Sequence, residues 1–297
     1  MEHLIDSSST AKVATVAPPI WTRAYFAGLF DRSECEIAGQ LVTTLSEEDA
    51  TLVSVVVPRA RVSDNDAFRA IVERAYITVR QSVDATAARH IVRMWNHVPG
   101  IGDVMAHGVD RYMVFNAGRH TAMSRWFGAG DAVTLARHAP AASGVGNASD
   151  AFVVHALALA APGTPVENPD QVPAYRYSTQ YGPVPPCFSR ATRIGNGLLL
   201  ISGTAAITGE ATRFEGNLRQ QFDLTLRHFR TLIGPGQCGG DPLAQMQHVR
   251  VYVPNPRDRK LLETLCDDSF ACPIEFQEAA LCRRDLLVEI EAVARVG

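Results

Sequence analysis

No run of basic residues interrupts the sequence, and the formal net charge is −3. The chain therefore lacks the clustered cations that bind nucleic-acid phosphates. Long apolar runs are missing as well. The longest, near residues 152–161, falls well short of the ~20 residues that a membrane span needs. The six cysteines (Cys35, Cys187, Cys238, Cys266, Cys272 and Cys282) form no C-x-x-C pair and share no zinc spacing with histidine. The nine histidines include no H-E-x-x-H, so no metal site is expected. The glycines at 234, 236, 239 and 240 read as loop residues, since no G-x-G-x-x-G opens a helix after a strand. Ser202 and Thr204 lack a G-x-S-x-G setting, which argues against a serine nucleophile. Residues 1–19 show no charged-then-apolar export pattern. They read as a polar lead-in, mobile over 1–18, and free thiols in a reducing, cytoplasmic compartment are expected.

What is present suits a packed protein. Hydrophobic residues make up 46% and charged residues 20% of 297 positions, enough for one large domain or two small ones. A Pro-rich tract over 161–187 separates two halves, 1–160 and 188–297, although its YRYSTQYGP segment is too aromatic for a plain linker.

The second half reads as ββαβαββ. Strands at 188–194 and 198–202 flank the turn Gly195-Asn196-Gly197. A helix over 216–232 carries Leu218, Phe222, Leu226 and Phe229 at helical spacing. A strand at 249–253, a helix over 256–266 and a final strand pair at 274–282 and 286–296 follow. The first half repeats this order loosely. It has strands near 24–29, 51–57, 90–96 and 151–159, with helices over 64–80 and 109–125. The expected fold class is α+β, two related units each with helices on one face of a sheet.

On the last strand, alternation sends Leu286, Val288, Ile290 and Ala292 toward the helices. Leu287, Glu289, Glu291 and Val293 go to the other face, with the two carboxylates ~7 Å apart. In a cleft, their repulsion would raise at least one pKa and supply a proton donor near neutral pH. Alternation alone favours an ordinary solvated face. Arg119, Arg176 and Arg190 sit beside aromatic or small residues and are candidate carboxylate forks. Tyr175, Tyr177 and Tyr181 serve equally as their partners or as packing residues. Small residues at Gly203 and Ala205 would let a ligand approach closely.

Several ordered stretches then carry a resemblance. VEIEA, with its first glutamate at Glu289, and the ββαβαββ order of residues 188–297 resemble the RidA-type imine deaminases. The stretches MWNHVPGI (94–101), DRYMVFNAGRHTA (110–122), AYRYSTQYGPVPPCFSRAT (174–192), LLISGTAAITG (199–209) and LCRRDLLVEIEA (281–292) narrow it to the chorismatases. The resemblance spans residues 90–297.

It implies two RidA-like (chorismate-mutase-like) units that cleave chorismate to pyruvate plus 3-hydroxybenzoate or a cyclohexadiene diol, without metal or organic cofactor. By the same resemblance, Glu289 protonates the enol methylene. Arg119, Tyr175, Arg176 and Tyr181 match its carboxylate clamps; Arg190, Gly203 and Ala205 join the expected substrate-binding set from their own surroundings. A cysteine seven residues before the glutamate, here Cys282, resembles the hydroxybenzoate-forming members, whereas alanine at Ala205 resembles the diol-formers. Gly209-Glu210 stands where the family usually has Gly-His. A two-residue turn at Arg284-Asp285 would put Cys282 on the face of Glu289; a single continuous strand would not. The expected partner is the small-molecule substrate, with no nucleic acid and no membrane, in a monomer with a pseudo-repeat or a homo-oligomer. Two other readings stay open, an enamine or imine deaminase and a non-catalytic binder of small aromatic acids. The deaminase reading is weakened by residues 271–279, which hold no arginine.

Overall fold

The computed structural model describes residues 16–128, 132–234 and 240–296. Cys238, most of the glycine-rich loop around it and residues 1–15 of the lead-in lie outside them.

The first unit opens with three antiparallel strands, β1 (Asp31–Ile37), β2 (Gln40–Ser46) and β3 (Ala50–Val57). It continues through α1 (Asn65–Asp84), β4 (His90–Pro99), α2 (Arg111–Phe127), α3 (Ala132–His138), β5 (Ala141–Asn147) and β6 (Phe152–Leu159). The second unit holds β7 (Thr164–Val166), β8 (Ala191–Ile194), β9 (Leu198–Thr204) and a small hairpin, β10 (Ile207–Thr208) with β11 (Ala211–Thr212). Then come α4 (Leu218–Ile233), β12 (Met246–Val253), α5 (Arg259–Asp267), β13 (Ile274–Glu278) and β14 (Glu289–Arg295).

The two large sheets run β1-β2-β3-β6-β4-β5 and β7-β8-β9-β14-β12-β13. In each, the last strand lies between the first hairpin and the crossover strands, and the crossover pair is parallel. The repeated ββαβαββ order thus folds twice into one topology, the α+β, RidA-like architecture expected.

Local chemistry explains the helices. Asp64 caps α1 by accepting from the Ala67 amide at 2.7 Å, which satisfies one of the orphan N–H groups of its first turn. Phe68, Val72, Ala75, Tyr76, Val79 and Val83 recur at three- and four-residue steps and are fully buried, the stripe of a helix lying on a sheet. Asp110 and Asn217 cap α2 and α4 in the same way. Gly118 lets α2 approach α1, since a Cβ there would meet the Arg69 carbonyl at 2.7 Å.

Four layers result. Val53, Met94 and Val154 pack under α1 and α2; Ile201, Val251 and Ile290 pack under α4 and α5. The inner faces of the two sheets meet through Leu52, Trp95 and Leu157 from the first and Leu200 and Val293 from the second.

Several expectations need correction. Residues 24–29 are not a strand. A 3-10 helix, Ile20–Phe26, follows Pro18-Pro19, and its Trp21 packs on Trp95 at 5.7 Å between centroids. β1 and β2 were not foreseen, because β1 is exposed along its whole length and shows no alternation. β5 was missed because AASGVGN is too small-residue-rich to read as a strand.

The last two strands do not pair with each other. β12 lies between them, so residues 279–288 must cross its end as a connector, and no hairpin forms at Arg284-Asp285. Alternation holds from Val288 onward but not before. Leu286 packs with Ala205 and Ile207, and Leu287 packs with the helix-side core.

Candidate active site

A pocket opens where the two units meet. α2 and the residue before it contribute Asp110, Tyr112, Met113 and Arg119, and β5 contributes Ala142 and Gly144. The Pro-rich tract contributes Tyr177, Tyr181 and Pro186. The second unit supplies Phe188, Arg190, Gly203, Ala205, Ile207, Cys282, Arg283, Leu286 and Glu289.

The two glutamates of β14 have opposite surroundings. Glu291 accepts from Arg93 Nη2 at 2.7 Å, Trp95 Nε1 at 2.8 Å and the Tyr252 hydroxyl at 2.8 Å, and also from the Ser143 hydroxyl. Arg93 and Glu291 form an ion pair that is almost fully buried, and it ties the sheet of one unit to that of the other.

Glu289, two residues away and 5% exposed, has no such support among the described residues. Burial, and then the charge of Glu291, push its carboxyl up to about 8 against the opposing pull of Arg93 and Arg190. A carboxyl with that value is largely protonated at neutral pH and can donate. Gly203 makes room for it, because a Cβ at that position would lie 2.0 Å from Glu289 Oε1. Burial, and then the charge of Glu289, likewise push the Cys282 thiol up to about 12, so it stands in the pocket as a neutral thiol.

Arg119 and Arg190 flank Phe188. The Arg119 guanidinium lies 5.8 Å from the ring centroid and that of Arg190 5.2 Å. Arg119 donates to Asn116 Oδ1 at 2.7 Å, and Arg190 donates to the Val172 carbonyl at 3.0 Å and the Tyr177 hydroxyl at 2.8 Å. Both are buried, each has an Nε without a hydrogen-bond partner among the described residues, and neither pairs with a protein carboxylate there. Two desolvated guanidinia that form no ion pair among the described residues, Arg190 lying in the field of Glu167 and Glu289, can donate to an anionic ligand.

Glu289, Cys282, Arg119, Tyr181, Arg190, Gly203 and Ala205, all candidates from the sequence, line this one pocket. Tyr175 and Arg176 do not. Tyr175 is buried away from the lining, and Arg176 is exposed with its guanidinium 6.0 Å from the Tyr175 ring. A 3-10 turn at Ala174–Arg176 rotates the segment, so that Tyr177 takes the lining position instead. Asp110, Tyr112 and Arg283 were missed. Asp110 carried only a helix-cap signal, and the Arg283-Arg284 pair gave no indication of which side chain turns inward. The connector places Cys282 beside Glu289 without the anticipated hairpin.

The five described cysteines are free. Among the described residues, no three His, Cys, Asp or Glu side chains are grouped to hold a metal ion, and no helix is long and apolar enough to cross a membrane.

Comparison with known proteins agrees with this architecture. Residues 35–158 match the family described as chorismatase FkbO/Hyg5-like, N-terminal. A 3-hydroxybenzoate synthase of Streptomyces hygroscopicus is 31% identical over 249 residues, 78% of this chain and 72% of that protein. A chorismatase of the same species is 32% identical over 259 residues, 82% and 72% of the two chains. A crystal structure of a chorismatase superposes with a TM-score of 0.75 at 28% identity, covering 88% of this chain and 78% of the other.

The fold is two RidA-like units with a pocket at their junction. The chain belongs to the chorismatase family, whose members are chorismate-cleaving enzymes.

Proposed function

We propose that this chain cleaves the enolpyruvyl ether of chorismate to pyruvate and 3-hydroxybenzoate, with Glu289 as the acid. The observation that carries the reading is a buried carboxyl, pushed up to about 8, in a pocket that also presents two guanidinia, each with an Nε free of partners among the described residues. Chorismate is a dianion. Arg119 and Arg190 would take its carboxylates, helped by Tyr177 and Tyr181, and hold the enol methylene toward Glu289. Proton transfer from Glu289 to that carbon gives an oxocarbenium ion. The Arg93-bound Glu291 contributes negative potential nearby, which favours the developing cation.

In the hydroxybenzoate branch, cleavage of the ether and aromatisation release pyruvate with no net uptake of water. In the diol branch, one water is consumed. The Cys282 thiol beside Glu289, together with the 31% identical 3-hydroxybenzoate synthase, supports the first branch, although Ala205 also lines the pocket. Both walls of the pocket come from one chain, so we infer that a monomer holds a complete site. The free thiols fit a cytoplasmic setting.

The test is mass spectrometry of the products after purified protein is incubated with chorismate. Pyruvate and 3-hydroxybenzoate in equal amounts are expected. A diol product would move the chain to the hydrolytic branch, and no pyruvate above the buffer rate would overturn the reading.

A further inference from the structure

We propose that Glu210 is a positioning residue that clasps the Tyr177–Tyr181 segment over the pocket, and that opening this clasp admits the substrate. The inference rests on the function proposed above. Glu210 stands at the turn of the β10–β11 hairpin, next to Gly209, whose φ of +61° makes that turn possible. Its carboxylate accepts three hydrogen bonds from the segment: from the Ser178 amide at 2.8 Å, the Ser178 hydroxyl at 2.7 Å and Gln180 Nε2 at 3.1 Å.

Its main-chain carbonyl accepts from Arg283 Nη1 at 2.8 Å. The Arg283 guanidinium in turn lies 3.9 Å from the Tyr181 ring centroid and 5.6 Å from that of Tyr177. One residue thus joins three stretches of chain that line the pocket: the hairpin, the tyrosine segment, and the connector that carries Cys282 and leads to Glu289.

Three features make this a clasp and not a fixed wall. The segment is attached by polar bonds at an exposed edge, where water competes for each donor, and not by apolar burial. Residues 176 and 178–180 are exposed. The tyrosines it carries face inward, the Tyr177 hydroxyl accepting from Arg190 Nη2 and Tyr181 lying under Arg283, so the closed segment covers the Arg190 guanidinium. The Tyr177 hydroxyl holds an Arg190 donor that an anionic ligand would take. Among the described residues the Glu210 carboxylate forms no ion pair with a pocket-lining charge; it lies in the field of Arg283, and its hydrogen bonds go to Ser178 and Gln180.

The experiment uses the full chain with Glu210→Ala, Glu210→Gln and Ser178→Ala. Losing a charge-assisted set of hydrogen bonds at the segment is expected to raise KM about tenfold in Glu210→Ala, with kcat within about twofold. Ser178→Ala, which keeps the backbone arm, is expected to raise KM about threefold and to add nothing to Glu210→Ala in the double variant. Glu210→Gln should fall between wild type and Glu210→Ala.

Limited trypsin digestion supplies a readout that needs no turnover. Cleavage after the exposed Arg176 should be faster in Glu210→Ala than in wild type, and chorismate or 3-hydroxybenzoate should slow it in both. Unchanged KM together with unchanged cleavage at Arg176 would overturn the clasp. So would a fall in kcat matched by a fall in the melting temperature, which would make Glu210 a plain structural residue. A wild-type protein that releases no pyruvate, yet shows ligand protection at Arg176 that Glu210→Ala weakens, would count against the proposed function and not against the clasp.

Discussion

The last strands of the two units, β6 and β14, occupy the same place in the same sheet order, yet only one carries acids. Val293 of β14 and Leu157 of β6 sit in the shared apolar layer between the sheets. Counting inward-facing positions back from that anchor matches Glu291 to His155 and Glu289 to Val153. The neighbouring strands agree, since Tyr252 pairs with Glu289 and His97 with Val153.

Around β14 the inward side chains hold a saturated carboxylate and a naked one. Around β6, His155 bonds Ser54 and the Val16 carbonyl, and Arg250 is tied to Glu275 and the Ala17 carbonyl. The segment at Val16–Ala17 thus covers the first-unit junction, while the equivalent space at the second stays open as a pocket. The duplicated frame supplies position, and the side chains at matched positions such as Glu289 and Val153, or Glu291 and His155, decide whether a junction becomes chemistry or packing.

The comparison breaks most visibly at Glu289. Glu289→Gln keeps the shape and removes the transferable proton, so pyruvate release should fall by about 10³-fold or more, since general acids contribute 10²–10⁴. The fold should survive, because a neutral amide replaces a neutral acid. Near wild-type turnover in a correctly folded variant would remove Glu289 from the acid role.

Gly203→Ala should come next. The added Cβ would fall on Glu289 Oε1, and displacing an acid by about an ångström costs roughly 10²-fold in rate. The measurement is kcat on chorismate, with a crystal structure to show the displaced carboxyl. A variant with unchanged kcat would mean that the acid has freedom that this packing denies it.

How much of this could be read beforehand follows the physics of each residue. Glu289 was legible because β14 alternates from Val288 onward, and alternation is a backbone property. Leu286 and Leu287 were misassigned because they precede the strand, in a connector whose path depends on β12 lying between β13 and β14. No local pattern encodes that neighbour. The pKa contrast between Glu289 and Glu291 was half legible: their proximity followed from a two-residue spacing, but which one is neutral depends on Arg93, Trp95 and Ser143, about 150 to 200 residues away in sequence. Arg176 stood out because tyrosines flank it, while Arg283 carried no such mark. A 3-10 turn reversed that preference, and such turns leave only a weak trace in composition. β1 left none, being exposed on both faces.

The junction network should matter more to folding than to chemistry. Arg93→Ala strands Glu291 in the interior, and removing one partner of a buried ion pair typically costs about 3–5 kcal/mol. Chemical denaturation should show that loss. Replacing the pair together with apolar residues of similar volume should recover much of it, and a double variant as unstable as Arg93→Ala would show that the network is needed for more than charge balance. A comparably sized loss is not expected on the exposed β1 hairpin, where Arg32 and Glu34 pair in water.

The smallest effect is also the one that sets the two units against each other. Burial pushes His155 down to about 4 from an ordinary 6.5, and it pushes Glu289 up to about 8 from 4.5. Both are neutral in the folded protein at pH 7, but their contributions to stability slope in opposite directions. A depressed histidine contributes stability above pH 6.5, and that contribution is lost as pH falls toward 4, because the unfolded chain takes up the proton first. A raised carboxyl contributes stability below pH 4.5, and that contribution is lost as pH rises through about 8, because the unfolded chain releases the proton first.

Glu289→Gln should therefore flatten the alkaline limb of a melting-temperature profile, and His155→Gln the acid limb, each by up to about 2 kcal/mol over a two-unit pH change. His97, buried beside it and also held well below its ordinary value, would keep part of the acid slope in the second variant. Thermal unfolding of the two variants and wild type at pH 5, 7 and 8.5 separates the limbs. If Glu289→Gln left the alkaline limb unchanged, the carboxyl would be ionised in the folded protein and could not act as the acid. A flat acid limb in wild type would mean that the His155 side of the frame opens to water, and the contrast between a covered and an open junction would fail there.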